Sequence, residues 1–192
     1  VIEVLADGIL DVDLGTTIAN FGATITVDSA AALDLDGATI AGGTLSGAGM
    51  IAIVGGVSTF EGVAIASATT VSVTDDTVLD LSGAIVNSGI IALNSSADAT
   101  HLEISGNVLI EGSGQVALTD NANNAIVSDG SSAMLTNSNT ITGAGTIGDA
   151  FLTLVNDGTI NATGENPLII DTGANTATSA GPEGSHWSAG SL

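Results

Sequence analysis

The chain has 192 residues, 21 of them acidic and none lysine or arginine, which gives a formal charge of −21. Nothing in it can displace phosphate counterions or clamp an anionic substrate, so nucleic acid and anionic membrane surfaces are excluded as partners. The charge does not imply disorder, because 44% hydrophobic residues and a mean hydropathy of +0.53 provide a core, while the absence of cysteine rules out disulfides, thiolate chemistry and Cys-ligated metal.

In chain order, Val1-Ile2-Glu3 lacks the positive region of a signal peptide, so the sequence reads as an internal slice of something longer. A turn residue followed two or three places on by an aliphatic then recurs at Gly22, Gly43, Gly62, Gly89, Gly114, Asn139 and Gly158, and Gly181 falls where the eighth is due. The spacings are 21, 19, 27, 25, 25, 19 and 23 residues, a solenoid-sized period of about 23. Glycine adopts positive φ freely and asparagine is the best substitute, which fits Asn139 as the one non-glycine corner. Asn20, Asn87, Asn137 and Asn156 each precede a corner by two, where stacked side chains can hydrogen-bond from coil to coil.

Between the corners the pattern has period two, as in Leu33–Asp36, Val71–Val73, Leu79–Leu81, His101–Ile104 and Leu152–Leu154. This is the mark of half-buried strands, and no stretch sustains helical periodicity. The uncharged run Gly37–Phe60 carries seven glycines and no basic flank, so it does not read as a membrane span. After Gly181 the pattern breaks, and residues 182–192 read as an irregular tail containing the sole Trp.

A coil of about 23 residues cannot bury its apolar face alone, whereas stacked coils can. The expected fold is therefore all-β: a right-handed parallel β-helix of about eight coils over residues 1–181. The phrase LDLDGATIAGGTL at 33–45 and its echo LDLSGAIVNSGII at 79–91 lie 46 residues apart, which reads as two coils. A β-sandwich is the competing fold, disfavoured by the recurring corner and the scarcity of hairpin signals.

Candidate chemistry is sparse. Asp34 and Asp80, taken as equivalent positions two coils apart, are the best pair for acid-catalysed glycoside cleavage. His101 and Glu103 share a strand face and suit metal binding or proton transfer. Asp75/Asp76, Asp34/Asp36 and Asp11/Asp13 are calcium candidates, though neither the GGxGxDxUx nonapeptide nor an EF-hand loop occurs. Thr24/Thr26 and Thr140/Thr142 are isolated Thr-x-Thr pairs, short of an ice-binding array. For each of these the stronger reading is a solvated outer surface.

The stretch Asn139–Asn175 contains NDGTI at Asn156–Ile160, GAGTIG at Gly143–Gly148 and IDTG at Ile170–Gly173. It resembles repeats of bacterial surface and secreted β-helix proteins of the hemagglutinin-like adhesin and autotransporter-passenger type. The resemblance implies export, an extracellular or cell-surface setting and a rod-like scaffold, with no catalytic residue carried over. The expectation is a non-catalytic structural or adhesive segment that associates with itself, with surface or matrix proteins, or with glycans. The alternatives are a carbohydrate- or calcium-binding module and, behind them, an acidic glycosidase. No cofactor is expected apart from calcium, and no membrane insertion by this segment.

Overall fold

The computed structural model describes residues 1–179 and the strand at 187–188. Every strand pairing in it is parallel, as stacked coils require and a sandwich does not. The strands run in coils of three faces. The first three coils contain β1 (Ile2–Val4), β2 (Ile9–Val12), β3 (Thr17–Ala19), β4 (Thr24–Val27), β5 (Ala32–Asp36), β6 (Thr39–Ala41), β7 (Thr44–Ser46), β8 (Met50–Gly55) and β9 (Val57–Glu61). The middle contains β10 (Ala64–Ile65), β11 (Thr70–Val73), β12 (Val78–Asn87), β13 (Ile90–Leu93), β14 (Thr100–Glu111), β15 (Gln115–Leu118), β16 (Asn124–Ser128) and β17 (Ala133–Asn137). The last are β18 (Thr140–Gly143), β19 (Gly145–Ile147), β20 (Leu152–Asn156), β21 (Thr159–Ala162), β22 (Leu168–Ile170), β23 (Ala177–Ser179) and β24 (Trp187–Ser188).

The first face stacks β2, β5, β8, β11, β13, β15, β18, β21 and β24. The second stacks β3, β6, β9, the N-terminal parts of β12 and β14, then β16, β19 and β22. The third stacks β1, β4, β7, β10, the C-terminal parts of β12 and β14, then β17, β20 and β23. The result is a solenoid of about eight turns, roughly 22 residues each. Among the described residues there is no α-helix.

Alternation builds the core. On the first face Leu10, Leu33, Ile51, Val71, Ile91, Val116, Ile141 and Ile160 form one inward column. All except Leu10 are buried, and Leu10 lies in the first coil, which has a partner on one side only. Leu79, Leu81, Leu102 and Ile104 do the same on the second face at 0% exposure. A side chain so enclosed contributes about 2–5 kcal/mol, by the usual cost of truncating it to alanine.

Two expectations change. The repeated phrase is not a two-coil repeat: Leu33 sits on the first face and Leu79 on the second, so 46 residues span two coils plus one face. The phrase recurs because every face asks for the same strand–glycine–strand profile. The seven corner marks within the described residues likewise fall on two different corners. Gly22 and Gly62, with Gly42 beside Gly43, turn from the second face to the third in a column continued by Gly83, Gly106 and Gly130, all with φ between 62° and 88°. Gly89, Gly114, Asn139 and Gly158 turn from the third face to the first, and none has positive φ. The switch of corner produces the long 27-residue spacing between Gly62 and Gly89.

At that other corner the reason for glycine is close approach. A Cβ on Gly89, Gly114 or Gly158 would collide with the carbonyl oxygen of Thr69, Gly89 or Asn139 in the coil beneath. Asn139 does carry a Cβ, and its rung is the stretched one: Thr140 N to Gly114 O is 3.4 Å, against 2.9–3.1 Å at the neighbouring rungs. Gly181 and the tail lie outside the described residues, apart from Trp187–Ser188, which pair parallel to β21.

Candidate functional site

Carboxylates gather on the second face. The register of β12, β14 and β16 sets Asp80 beside Glu103, and Ser105 beside both Ser82 and the turn that carries Asp129. All point outward, because Leu79, Leu81, Leu102 and Ile104 take the inward positions between them. The Ser105 hydroxyl lies 2.7 Å from Asp80 Oδ1 and 3.0 Å from Asp129 Oδ2, between carboxylates of the coils on either side of its own, and can donate its proton to one of them at a time.

The carboxylates differ in environment. Burial, reinforced by the charge of Asp129, pushes Asp80 above the ordinary range, opposed by the hydroxyls of Ser105 and Thr59. Burial and then the charges of Asp80 and Asp129 push Glu103 up. Asp129 is held low by the Ser131 backbone N–H and the Ser105 hydroxyl. His101 Nδ1 stands 4.0 Å from Glu103 Oε1, the limit of an ion pair, and burial lowers its pKa. The lowered pKa favours the neutral imidazole, and the raised one favours proton retention on Glu103. Adjacent rungs lie about 4.8 Å apart. Asp80 and Glu103 are therefore neighbours with raised proton affinity, an arrangement that can share or deliver a proton.

The structure separates the pair that the sequence joined. Asp34 lies on the first face and Asp80 on the second, so they share no column. Asp34 instead pairs laterally with Asp11, and burial followed by the Asp11 charge raises its pKa. Its Oδ1 is enclosed without a hydrogen-bond partner among the described residues. Asp36, at the end of the same strand, is exposed.

Asp75 is already engaged. Its two oxygens accept from the Ser96, Ala97 and Asp98 backbone N–H groups and the Ser96 hydroxyl, at 2.7–3.2 Å. These donors, led by Ser96, hold it down at about 2. N–H groups aimed at both oxygens present positive charge where a cation would sit. Asp76 beside it adopts φ 61° to make the turn. Among the described residues no three His, Asp or Glu side chains are grouped to hold a metal ion.

Two engaged aspartates escaped the sequence reading. Asp120 accepts from the Glu165 and Asn166 N–H groups at 2.9 and 2.8 Å, binding a loop some 45 residues on. Asp149 accepts from Ser128, Phe151 and Leu152. Their only sequence signal is position, an aspartate just past a strand end.

The asparagine ladder is present. Asn137 Nδ2 donates to Asn156 Oδ1 at 2.7 Å, and Asn87 Nδ2 donates to Asn139 Oδ1 at 2.8 Å across the side-chain-free Gly112. All four amides are nearly inaccessible. Asn20 bonds to the Ala23 and Gly42 carbonyls at a different corner. Beside the ladder, an open groove of about 410 Å³ runs between corner residues Ala68, Ser88 and Ser113 and strand residues Thr70, Ile90 and Gln115. Its lining is uncharged.

No protein-family model matches the chain, and neither does any curated protein or solved structure.

Proposed function

We propose that the chain is a non-catalytic structural or adhesive segment working outside the cell, as part of a surface fibre, stalk or matrix. The observation that carries this reading is the aliphatic column of the first face, continuous from Leu10 to Ile160. Eight rungs at about 4.8 Å give a shaft of roughly 38 Å whose stiffness comes from its packed interior. Such a part acts by length and surface. The uncharged groove supports glycans as contacts, and the exposed carboxylates support loosely held calcium. Small-angle scattering should return a rod, and incubation with neutral glycans should yield no product. Turnover that Asp80→Asn abolishes would overturn the scaffold reading.

The acidic strip favours a second reading, glycoside cleavage. Asp80 and Glu103 are the pair that would carry it, in place of Asp34 and Asp80. The same Asp80→Asn and a Glu103→Gln variant test it, by loss of released sugar with the fold retained.

A further inference from the structure

We infer that the corner groove between the third and first faces is a binding site for a neutral, extended polysaccharide, a straight chain of equatorially linked pyranose rings. The inference rests on the adhesive form of the scaffold reading and gives it a site and a ligand class. Its first support is shape. A hollow of about 150 Å³ shares Ser113, Gly114 and Thr140 with the 410 Å³ groove and reaches Gly158 and Thr159 in the next coil. Together they cross successive corners from Ala68 to Thr159. Four rung steps of about 4.8 Å make this a straight track of roughly 19 Å. Gly89, Gly114 and Gly158 leave its floor without side chains, and Asn139 turns its amide into the shaft. The larger part alone falls within the about 300–1,000 Å³ of ligand sites.

The second support is unspent hydrogen bonding. Ser88, Ser113 and Ser138 form one wall, each two places before the strand residue of its coil. Thr70, Gln115, Thr140 and Thr159 stand in one register column and form the other. Among the described residues, none of these hydroxyls and neither end of the Gln115 amide has a hydrogen-bond partner. Elsewhere the chain uses such groups itself: Thr74, Thr77, Ser95 and Thr119 all donate to its own carbonyls at 2.7–2.8 Å. A hydroxyl or a primary amide both donates and accepts, which is what a sugar hydroxyl requires of its partner. One such group per wall recurs at each rung, and an equatorially linked pyranose chain advances by nearly one rung per ring.

The third support is what the groove refuses. Its lining carries no charge, in a chain of net charge −21 without lysine or arginine. An anion meets repulsion with no compensating partner, and a cation meets no carboxylate in the lining. Asp157, two places before Thr159, ends the serine wall. A peptide strand cannot add itself by backbone pairing, because the backbone is already paired from coil to coil. Ile90, Gln115 and Thr159 N–H donate to the Thr69, Gly89 and Asn139 carbonyls at 2.9–3.1 Å. What remains is the side chains, with Ala68, Ile90 and the glycines to meet the C–H faces of the rings. No aromatic residue lines the track, so one short chain binds weakly, with a Kd on the order of 1 mM, and many copies on one polymer hold it by avidity.

Titration of the isotope-labelled full chain with xylohexaose to about 10 mM, followed by amide NMR, tests it. The expected result is saturable shifts centred on Ser88–Ile90, Ser113–Gln115 and Ser138–Thr140, weaker with the helical maltohexaose and absent with anionic hexagalacturonate. Ser88→Ala/Ser113→Ala and Gln115→Ala should each weaken binding about three- to tenfold. Their melting temperatures should not change, since no partner within the chain is lost. Asp80→Asn on the second face and Thr153→Ala on the third should leave binding unaltered. If the double serine variant does not fold, Gln115→Ala alone is scored. The inference is overturned by the absence of saturable shifts, by shifts centred elsewhere, or by binding that the groove variants leave intact. Equal shifts from maltohexaose, hexagalacturonate or a neutral Gly-Ser peptide also overturn it, by giving the groove another occupant. A rod that binds no sugar and turns none over leaves the scaffold reading standing. Hydrolysis of xylohexaose that Asp80→Asn abolishes sinks that reading, while groove shifts retained in Asp80→Asn uphold the site.

Discussion

Two corners of the same coil solve one problem with different chemistry. Leaving a strand frees backbone N–H and C=O groups that the ladder no longer pairs, and each needs a partner. Between the third and first faces the partner is an amide within the shaft: Asn137 accepts from the Asn139 N–H at 3.1 Å while donating to Asn156 and to the Asn139 carbonyl. Between the first and second faces it is a carboxylate outside: Asp75 and Asp120 each gather N–H groups from a later loop. An amide both donates and accepts without charge, so it links coils in both directions where water is excluded. A carboxylate only accepts, but binds several donors strongly and leaves its charge in solvent.

Exchanging the two chemistries should be most damaging inside. Asn137→Asp keeps the shape but buries a charge, removes a donor and turns acceptor against acceptor. A loss of about 3–5 kcal/mol at neutral pH is expected in urea denaturation, partly recovered in acid as the new carboxyl protonates. Asn137→Ala should cost less, about 1–3 kcal/mol, since it strands its partners without adding charge.

Outside, Asp75→Asn retains an acceptor and should lower the melting temperature less than either. Its signature is pH dependence. Asp75 titrates at about 2 in the folded chain and near its ordinary value when unfolded, so its stabilisation is complete above about 4 and is lost as pH falls through 2. The variant should flatten the stability curve in that window.

The smallest effect, of opposite sign, belongs to the acidic strip. Asp80 and Glu103 have raised pKa values, so their contribution becomes more favourable as pH falls through those values. Asp80→Asn, which can still accept from Ser105, should slightly raise the melting temperature at neutral pH. A fall would show that Ser105 needs the charge.

Much of this fold was legible because the solenoid repeats its demands locally. Alternation at Leu33–Leu35 and Leu79–Leu81 identified strands, and the asparagines two before Gly89 and Gly158 identified a ladder. Phase was not legible. Nothing in LDLDG or LDLSG says which face it occupies, since the faces bury equivalent side chains. The wording alone therefore matches Asp34 with Asp80 across faces, and it offers His101, not Asp80, as the neighbour of Glu103. Asp129 and Asp120 act through loops that only the stacking brings near, the latter from some 45 residues away.

The misplaced phrase has an evolutionary corollary. Recombination between its two copies would excise 46 residues, seven sides of a three-sided column rather than a whole number of turns. Every segment downstream would then occupy a different side relative to the coil upstream, with the Leu79 strand stacked over β2 instead of β9. Gene-level shuffling that preserves this molecule must therefore cut at sites equivalent in angle as well as in wording.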